Sequence, residues 1–321
     1  PTPCKVAFHG VDGNATPDFV PDSGHTAIKN LHYSHDGQFR QAIGPGKYEV
    51  IVSLGPEYDA VFQTIEVKRG QVVEVAATMQ RVVDTSGWIS SDFHSHSSPS
   101  GDNTGSQFGR VQNLLCEHIE FAPCTEHNRI STYVPHIERL AAQARLQTCP
   151  GMELTGSPLP VNHQNAFPMR FQPRRQDGGG PTTDANPVVQ IERLALWDEG
   201  SDKLVQENHP NLLQILNDRD LNGKADGGFE KMFGFMDVVE VHPPAGIFNK
   251  PEKDKQGKLS RNPIYHWMQL LNLGYRITGV VNTDAHYNYH ESGWLRNYIK
   301  SDTDEPADVK ALDVVHTAEA G

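Results

Sequence analysis

The run Asp92-Phe93-His94-Ser95-His96-Ser97-Ser98-Pro99-Ser100-Gly101-Asp102 comes directly after a stretch, Gly87-Trp88-Ile89-Ser90-Ser91, that reads as a β-strand. Residues two apart on an extended chain point to the same side. His94 and His96 can therefore aim both imidazoles at one ion, with Asp92 and Asp102 near enough to orient or join them. The competing reading is a polar strand end with incidental histidines. A lone H-x-H does not choose between them, so the rest of the chain has to.

The chain has 321 residues, enough for one large domain or a large and a small one. Charged residues are 21% and hydrophobic ones 37%, a globular balance without the signature of disorder. No run approaches the ~20 apolar residues of a membrane span. The net charge of -12 argues against a nucleic-acid surface. It leaves an anionic small-molecule substrate open, because bound divalent ions dominate the charge of a local site. Cys4, Cys116, Cys124 and Cys149 form no C-x-x-C, so zinc ribbons and thioredoxin-type motifs are not suggested. They leave room for one disulfide or for free buried thiols. A start at Pro1 without Met or signal peptide is expected of a trimmed or mature chain, and leans towards an exported, periplasmic protein.

Residues 1–84 differ from the remainder of the chain. Short apolar runs (Cys4 to Phe8, Tyr48 to Leu54, Val61 to Val67, Val72 to Met79) alternate with turn-rich pieces such as Gly44-Pro45-Gly46. This spacing predicts a small, sandwich-like all-β domain. Its histidines, His9, His25, His32 and His35, lack carboxylate company and read as surface or structural. Residues 85–321 alternate strands with helices. Helices are predicted over 106–118, 134–147, 188–197, 263–273 and from Asp308 to the end. Strands are predicted over 119–124, 152–154, 204–206, 235–241 and 275–281. Such alternation implies a mostly parallel sheet, doubly wound or closed into a barrel.

The strand ends carry the chemistry. They run into His94, His96 and Asp102; Thr125-Glu126-His127-Asn128; Glu153; Asn162-His163-Gln164-Asn165; Glu207-Asn208-His209-Pro210; Glu240 with His242; and Asn282-Thr283-Asp284-Ala285-His286. Active sites of α/β folds lie at the carboxyl ends of strands. Solvated strand ends explain one or two such cases; a shared polynuclear metal centre explains all of them. Imidazole and carboxylate without thiolate suit Zn, Mn, Fe or Ni rather than Ca or Mg alone. Such a centre drops the pKa of bound water to about 7 on zinc and clamps phosphoryl or acyl oxygens. No nucleophile elbow, P-loop or dinucleotide fingerprint competes.

The ordered set Asp92-Phe93-His94-Ser95-His96, Asp102, Thr125-Glu126-His127-Asn128, Gly151-Met152-Glu153, His163, Asn208-His209-Pro210 and Asp284-Ala285-His286 resembles the polymerase-and-histidinol-phosphatase (PHP) superfamily of metal-dependent hydrolases. Together with the front β-domain, Gly87-Trp88-Ile89-Ser90-Ser91-Asp92 is similar to the carbaryl-hydrolase-like branch. The resemblance covers nearly all of residues 87–300. It implies an α/β fold, a distorted (β/α)7 PHP-type barrel preceded by the small β-domain, with two or three divalent ions (Zn, Mn or Fe). By resemblance, His94, His96, Glu153 and Asp284 would hold one ion. Glu153, His163 and His209 would hold a second, and Asp102, His127 and His286 a third. Asp284 or His286 would move protons. The sequence departs from the family at Glu126, where Thr-Asp-His is usual, and at Asp102, which some relatives replace with His.

Other features sit beside this set. Asp218, Asp220 and Asn222 open like a calcium loop, but the expected terminal Glu falls on Phe229. An Asx-rich turn is the alternative. Glu240 and His242 read as supporting or substrate-facing. Arg129 reads as an anion contact, or else as a surface ion pair. Tyr287, Tyr289, His290 and Trp294 would line a pocket mouth or belong to the core. The resulting expectation is a phosphoesterase acting on a small anionic ester. Hydrolysis of a carboxylic ester, carbamate or amide is the alternative on the same centre. A non-catalytic sugar- or partner-binding protein with a structural metal site is the alternative from another class.

Overall fold

The computed structural model describes residues 2–19, 26–158, 161–215, 228–242, 252–253, 255, 260, 262–288 and 292–321. Its strands are β1 (Cys4–Gly10), β2 (Ala27–Ile28), β3 (Leu31–Ser34), β4 (Gly46–Ser53), β5 (Val61–Val67), β6 (Trp88–Ser91), β7 (Met152–Thr155), β8 (His163–Phe167), β9 (Leu204–Glu207), β10 (Val238–Glu240), β11 (Thr278–Val280) and β12 (Asn297–Lys300). Its α-helices are α1 (Gln107–Cys116), α2 (Val134–Arg139), α3 (Pro187–Ala195), α4 (Trp197–Gly200), α5 (Leu212–Ile215), α6 (Pro263–Asn272) and α7 (Ala311–Ala320). Two compact units are defined by contacts. The first comprises Pro1–Ala122, Tyr133–Thr148 and Thr283–Val309; the second Pro123–Thr132, Cys149–Asn282 and Lys310–Gly321.

In the first unit β2-β3-β1-β4-β5 form one antiparallel sheet. On β4, Tyr48, Val50 and Val52 point inward while their neighbours are more exposed, the period-two pattern of a half-buried strand. Cys4, Val6, Phe8, Val50 and Val52 make its apolar cluster. The expected second layer of a sandwich is not found among the described strands, and Val72 to Met79 forms no strand. That run places apolar residues side by side (Val72-Val73, Val75-Ala76-Ala77), so one strand face cannot hold them. A side-chain bond ties it down instead, from Gln63 Nε2 to the Ala76 carbonyl at 2.6 Å. His32 is buried and stacks on Phe39 with 3.8 Å between ring centres. Burial lowers its pKa, as expected of a structural histidine. His25 lies outside the described residues.

α1 begins at a Ser106 cap, whose side chain accepts the Gly109 N–H. Its residues from Gly109 onward are buried. β6 pairs antiparallel with β12. Residues 119–124, expected as a strand, contribute isolated parallel bridges, Ser91 to Phe121 and Phe121 to Gln147 in this unit. The helix expected over 134–147 stops at Arg139. Ala141 turns to φ 50, where the helical hydrogen-bond ladder cannot continue, although the apolar spacing runs on.

Glu57 is the buried charge that ties this unit together. Arg296 Nη1 donates to Glu57 Oε1 at 2.9 Å and Oε2 at 3.3 Å, and Tyr298 Oη to Oε1 at 2.5 Å. His118 Nδ1 lies 3.5 Å from Oε2. Burial alone would raise the Glu57 pKa. His118, Arg296 and Tyr298 outweigh it and hold the carboxyl down at about 2. The folded value is depressed, so the contribution to stability is complete above the ordinary value of about 4.5 and is lost as pH falls from there through about 2. We expect acid titration of Glu57→Gln, monitored by circular dichroism, to show a flatter loss of stability across that window than the wild type. Parallel curves would contradict this.

In the second unit the sheet order is β11-β10-β9-β8-β7. β9, β10 and β11 are parallel, whereas β7-β8-β9 are antiparallel. The barrel of seven strands expected from the sequence is not formed by these hydrogen bonds: among the described residues the sheets are open. Part of the reason is the connection between β7 and β8, residues 156–162, which is too short for a parallel crossover and returns the chain antiparallel. Met152, Leu154, Ala166, Ile191, Leu194, Val205, Val239 and Leu270 belong to one buried cluster. α3 and α6 start as their sequences suggest, with Asn186 and Asn262 as caps and Pro187 and Pro263 in the first turn. No disulfide forms among the described residues, and all four cysteines are buried.

Candidate metal centre

The first unit brings together His94, His96, Asp102, Asp284 and His286. The bridge between Ser95 and Ala285 sets two chain runs side by side. Asp284 N–H donates to the His94 carbonyl and His96 N–H to the Ala285 carbonyl, both at 2.9 Å. His94 and His96, buried completely, then project to one side as the two-residue spacing requires. Their Nε2 atoms are 2.9 Å apart and lie 3.2 and 3.1 Å from Asp284 Oδ1. Ligands on a tetrahedral ion at about 2.0–2.1 Å stand roughly 3.3 Å from one another. The triangle therefore fits one divalent ion.

His286 supports the same conclusion by another route. Its Nδ1 faces the Asp284 carbonyl at 2.8 Å, an acceptor, so Nδ1 carries the proton. Nε2 of the neutral ring then presents a lone pair to Asp102 Oδ2 at 3.0 Å. Two acceptors at that distance need a proton or a cation between them. Asp92, fully buried, takes a different part from that of a ligand: its carboxylate accepts the N–H groups of His94 and Thr283, both at 3.2 Å, and the Thr283 hydroxyl. Burial lifts its pKa to about 6 against those hydrogen bonds.

The second unit gathers Glu153, His163, His209 and His127. Glu153 projects from β7 and is fully buried. Its Oε1 lies 3.2 Å from His163 Nδ1 and 3.9 Å from His209 Nε2. His163 Nδ1 is buried without a hydrogen bond among the described residues, although a carboxylate stands beside it. A ring nitrogen held that way is compatible with a metal ligand. Glu153, His163 and His209 offer three ligand atoms within 4.8 Å of one another. His127 pairs through Nδ1 with Glu153 Oε2 and meets Thr155 Oγ1 at 2.5 Å. Glu126 precedes His127, and its carbonyl accepts the Glu153 N–H at 3.0 Å.

Asp284 (φ 49) and His209 (φ 30) adopt left-handed backbone conformations. For residues with a Cβ this costs about 1–2 kcal/mol and persists where the surroundings over-determine it. For His209 the restraint is visible: its N–H donates to Glu240 Oε2 at 2.8 Å, and Asn282 holds Glu240 Oε1 at 3.0 Å. Glu240 is thus a support. His242 turns its Nδ1 to the Asn282 carbonyl at 3.0 Å. Arg129 pairs with Asp177 at 3.6 Å, both side chains more than a third exposed. Asp218, Asp220 and Asn222, and with them the calcium expectation, lie outside the described residues, as do Tyr289 and His290.

Several supporting groups escape a reading by motif. Asn208 Nδ2 donates to Glu153 Oε1 and to Asn165 Oδ1, both at 2.8 Å. Thr155 Oγ1 donates to Glu153 Oε2 at 3.0 Å. Glu207 is fully buried, and burial, with the Glu153 charge adding to it, pushes its carboxyl well above the usual range against the opposing pull of the Gln164 amide. Asn208 and Glu207 stand beside His209 in sequence, but nothing local tells a support from a ligand.

Fold and clusters define a mixed α/β protein with imidazole–carboxylate clusters compatible with metal ions. No protein-family model matches the chain, and no curated protein matches it. It is similar to the crystal structure of a two-domain protein containing a predicted PHP-like metal-dependent phosphoesterase from Bacteroides vulgatus ATCC 8482, at 17% identity and a TM-score of 0.39, over 64% of this chain and 55% of that one. The chain thus spans about half the length of that structure. No helix among the described residues is long and apolar enough to cross a membrane.

Proposed function

We propose that the protein is a metal-dependent hydrolase of small anionic esters, with phosphoesters as the first substrate class. The observation that carries this reading is the triangle of His94 Nε2, His96 Nε2 and Asp284 Oδ1, whose edges of 2.9, 3.2 and 3.1 Å match those of a tetrahedral ion's ligands. The ordered motif set supports the choice of ester hydrolysis. Two or three divalent ions (Zn, Mn or Fe) would supply Lewis acidity towards the substrate oxygen and acidify a water.

The chain's own residues do the rest. Glu153 and Asp284 supply negative charge, and Asn208 and Thr155 aim the Glu153 carboxylate. The proton on His286 Nδ1 is held by the Asp284 carbonyl, so Nε2 is the ring atom able to take up or release one. Arg129, bound only loosely to Asp177, is the cation offered for an anionic substrate group.

The test is hydrolysis of bis(p-nitrophenyl) phosphate and p-nitrophenyl acetate by the same metal-loaded protein. We expect turnover of the phosphodiester that a chelator abolishes and added Zn or Mn restores. Preference for the acetate would move the activity to carboxylic esters. Inertness of fully loaded protein on a broad ester panel would remove the hydrolase reading.

A further inference from the structure

Arg110 lies on α1 and is completely buried. A guanidinium stays charged at any pH at which proteins are folded, so placing it in the interior is costly unless its donors are matched. Its Nε donates to the His96 carbonyl at 2.9 Å. Nη2 donates to the carbonyls of Ala285 at 2.9 Å and Tyr287 at 3.2 Å, and Nη1 to Ser292 Oγ. The three carbonyls belong to two runs of chain. One ends on the ligand His96; the other carries Asp284, Ala285, His286 and Tyr287.

We propose that Arg110 is a positioning residue for the His94, His96, Asp284 and His286 cluster, its guanidinium setting the separation of the two ligand-bearing runs. The inference rests on the metal reading above. Arginine presents its donors in a planar fork with fixed angles, so the carbonyls it grips are held at set positions; a lysine ammonium is a point charge without that fork. The site needs such a brace. Asp284 sits in a left-handed conformation, and the carbonyl of the residue after it is one that Arg110 holds. The same carbonyl accepts the His96 N–H at 2.9 Å, so ligand spacing and arginine fork share one atom. The His96 and His286 rings lie 4.5 Å apart, close enough that a small shift between the runs changes the donor geometry.

The experiment measures zinc affinity by competition with a chromophoric chelator, and the cobalt-loaded absorption spectrum, for the wild-type chain, Arg110→Lys and Arg110→Ala. Arg110→Lys keeps the charge and loses the fork, and we expect it to weaken zinc binding roughly 10- to 100-fold, the range typical of groups that orient ligands, with an altered cobalt spectrum. For Arg110→Ala, guanidinium at a low, non-denaturing concentration should restore zinc affinity. Zinc binding by Arg110→Lys as tight as wild type would overturn the role. So would guanidinium that raises the melting temperature of Arg110→Ala without recovering zinc affinity. Should Arg110→Ala not fold, the lysine variant decides alone. A wild-type chain that takes up no zinc would overturn the metal reading and this proposal with it, an outcome distinct from tight binding by both wild type and Arg110→Lys.

Discussion

Glu153→Gln should lower metal affinity at least about 100-fold, at or beyond the upper end of what losing an orienting group costs, and leave purified protein short of metal. The substitution preserves shape and removes charge. In the wild type Oε1 faces His163 and His209, and Oε2 faces His127 and Thr155. An amide replaces one of these oxygens with a donor pointing at imidazole nitrogens and cannot offer a second anionic ligand atom. Elemental analysis after dialysis reads the effect. Arg129→Ala is the control and should retain its metal, since Arg129 pairs with Asp177, at 3.6 Å, rather than with a ligand. Full and equal occupancy in both variants would remove Glu153 as a ligand. The melting curve of the metal-free protein guards against a trivial result: Glu153→Gln should change it little, because the amide oxygen still accepts from Asn208 and the Thr155 hydroxyl can turn to accept from the amide nitrogen.

The second large effect concerns stability. Arg296→Met should destabilise the protein by about 3–5 kcal/mol, the typical consequence of removing one partner of a buried ion pair. Glu57 would be left buried with its charge, and both its oxygens would lose a donor. The carbonyls of Glu117 and Gly293, which accept from Arg296 at 2.8 and 2.6 Å, would lose theirs too. Urea unfolding measures the change. Adding Glu57→Gln to Arg296→Met should recover part of the loss, since an uncharged amide tolerates the interior better than an orphaned carboxylate. A loss below about 1 kcal/mol, the size of a surface pair, would show that the pair is solvated.

Much of the candidate site could be read along the chain because covalent spacing is local. An H-x-H after a strand points two rings one way whatever the remainder of the fold does, and His94 and His96 do so. The strands that carry Glu153, Glu207 and Glu240 were legible from short apolar runs bounded by turns, and α3 and α6 lie within two residues of the helices expected over 188–197 and 263–273. Periodicity failed where the competing terms are long-range. Val72 to Met79 has strand-forming residues yet pairs with no strand, although β5 is an edge of the described sheet. The helix at Val134 ends at Arg139 although its apolar spacing continues.

Residue types and their order were therefore determined by the sequence itself, because covalent spacing and side-chain chemistry suffice for them; the association with strand ends holds after β6 and β9 but not for His163, which opens β8, or Glu153, which lies within β7. Tertiary structure alone decided the rest. It made the second sheet mixed and open, through the short return into β8. It set the distances among His94, His96 and Asp284, and gave Asp92, Asn208 and Glu240 their hydrogen-bond partners. It placed Arg110 across the two runs that carry His96 and Ala285. Each of these depends on which groups distant in sequence come within about 3 Å, the reach of a hydrogen bond, and no local pattern encodes that distance.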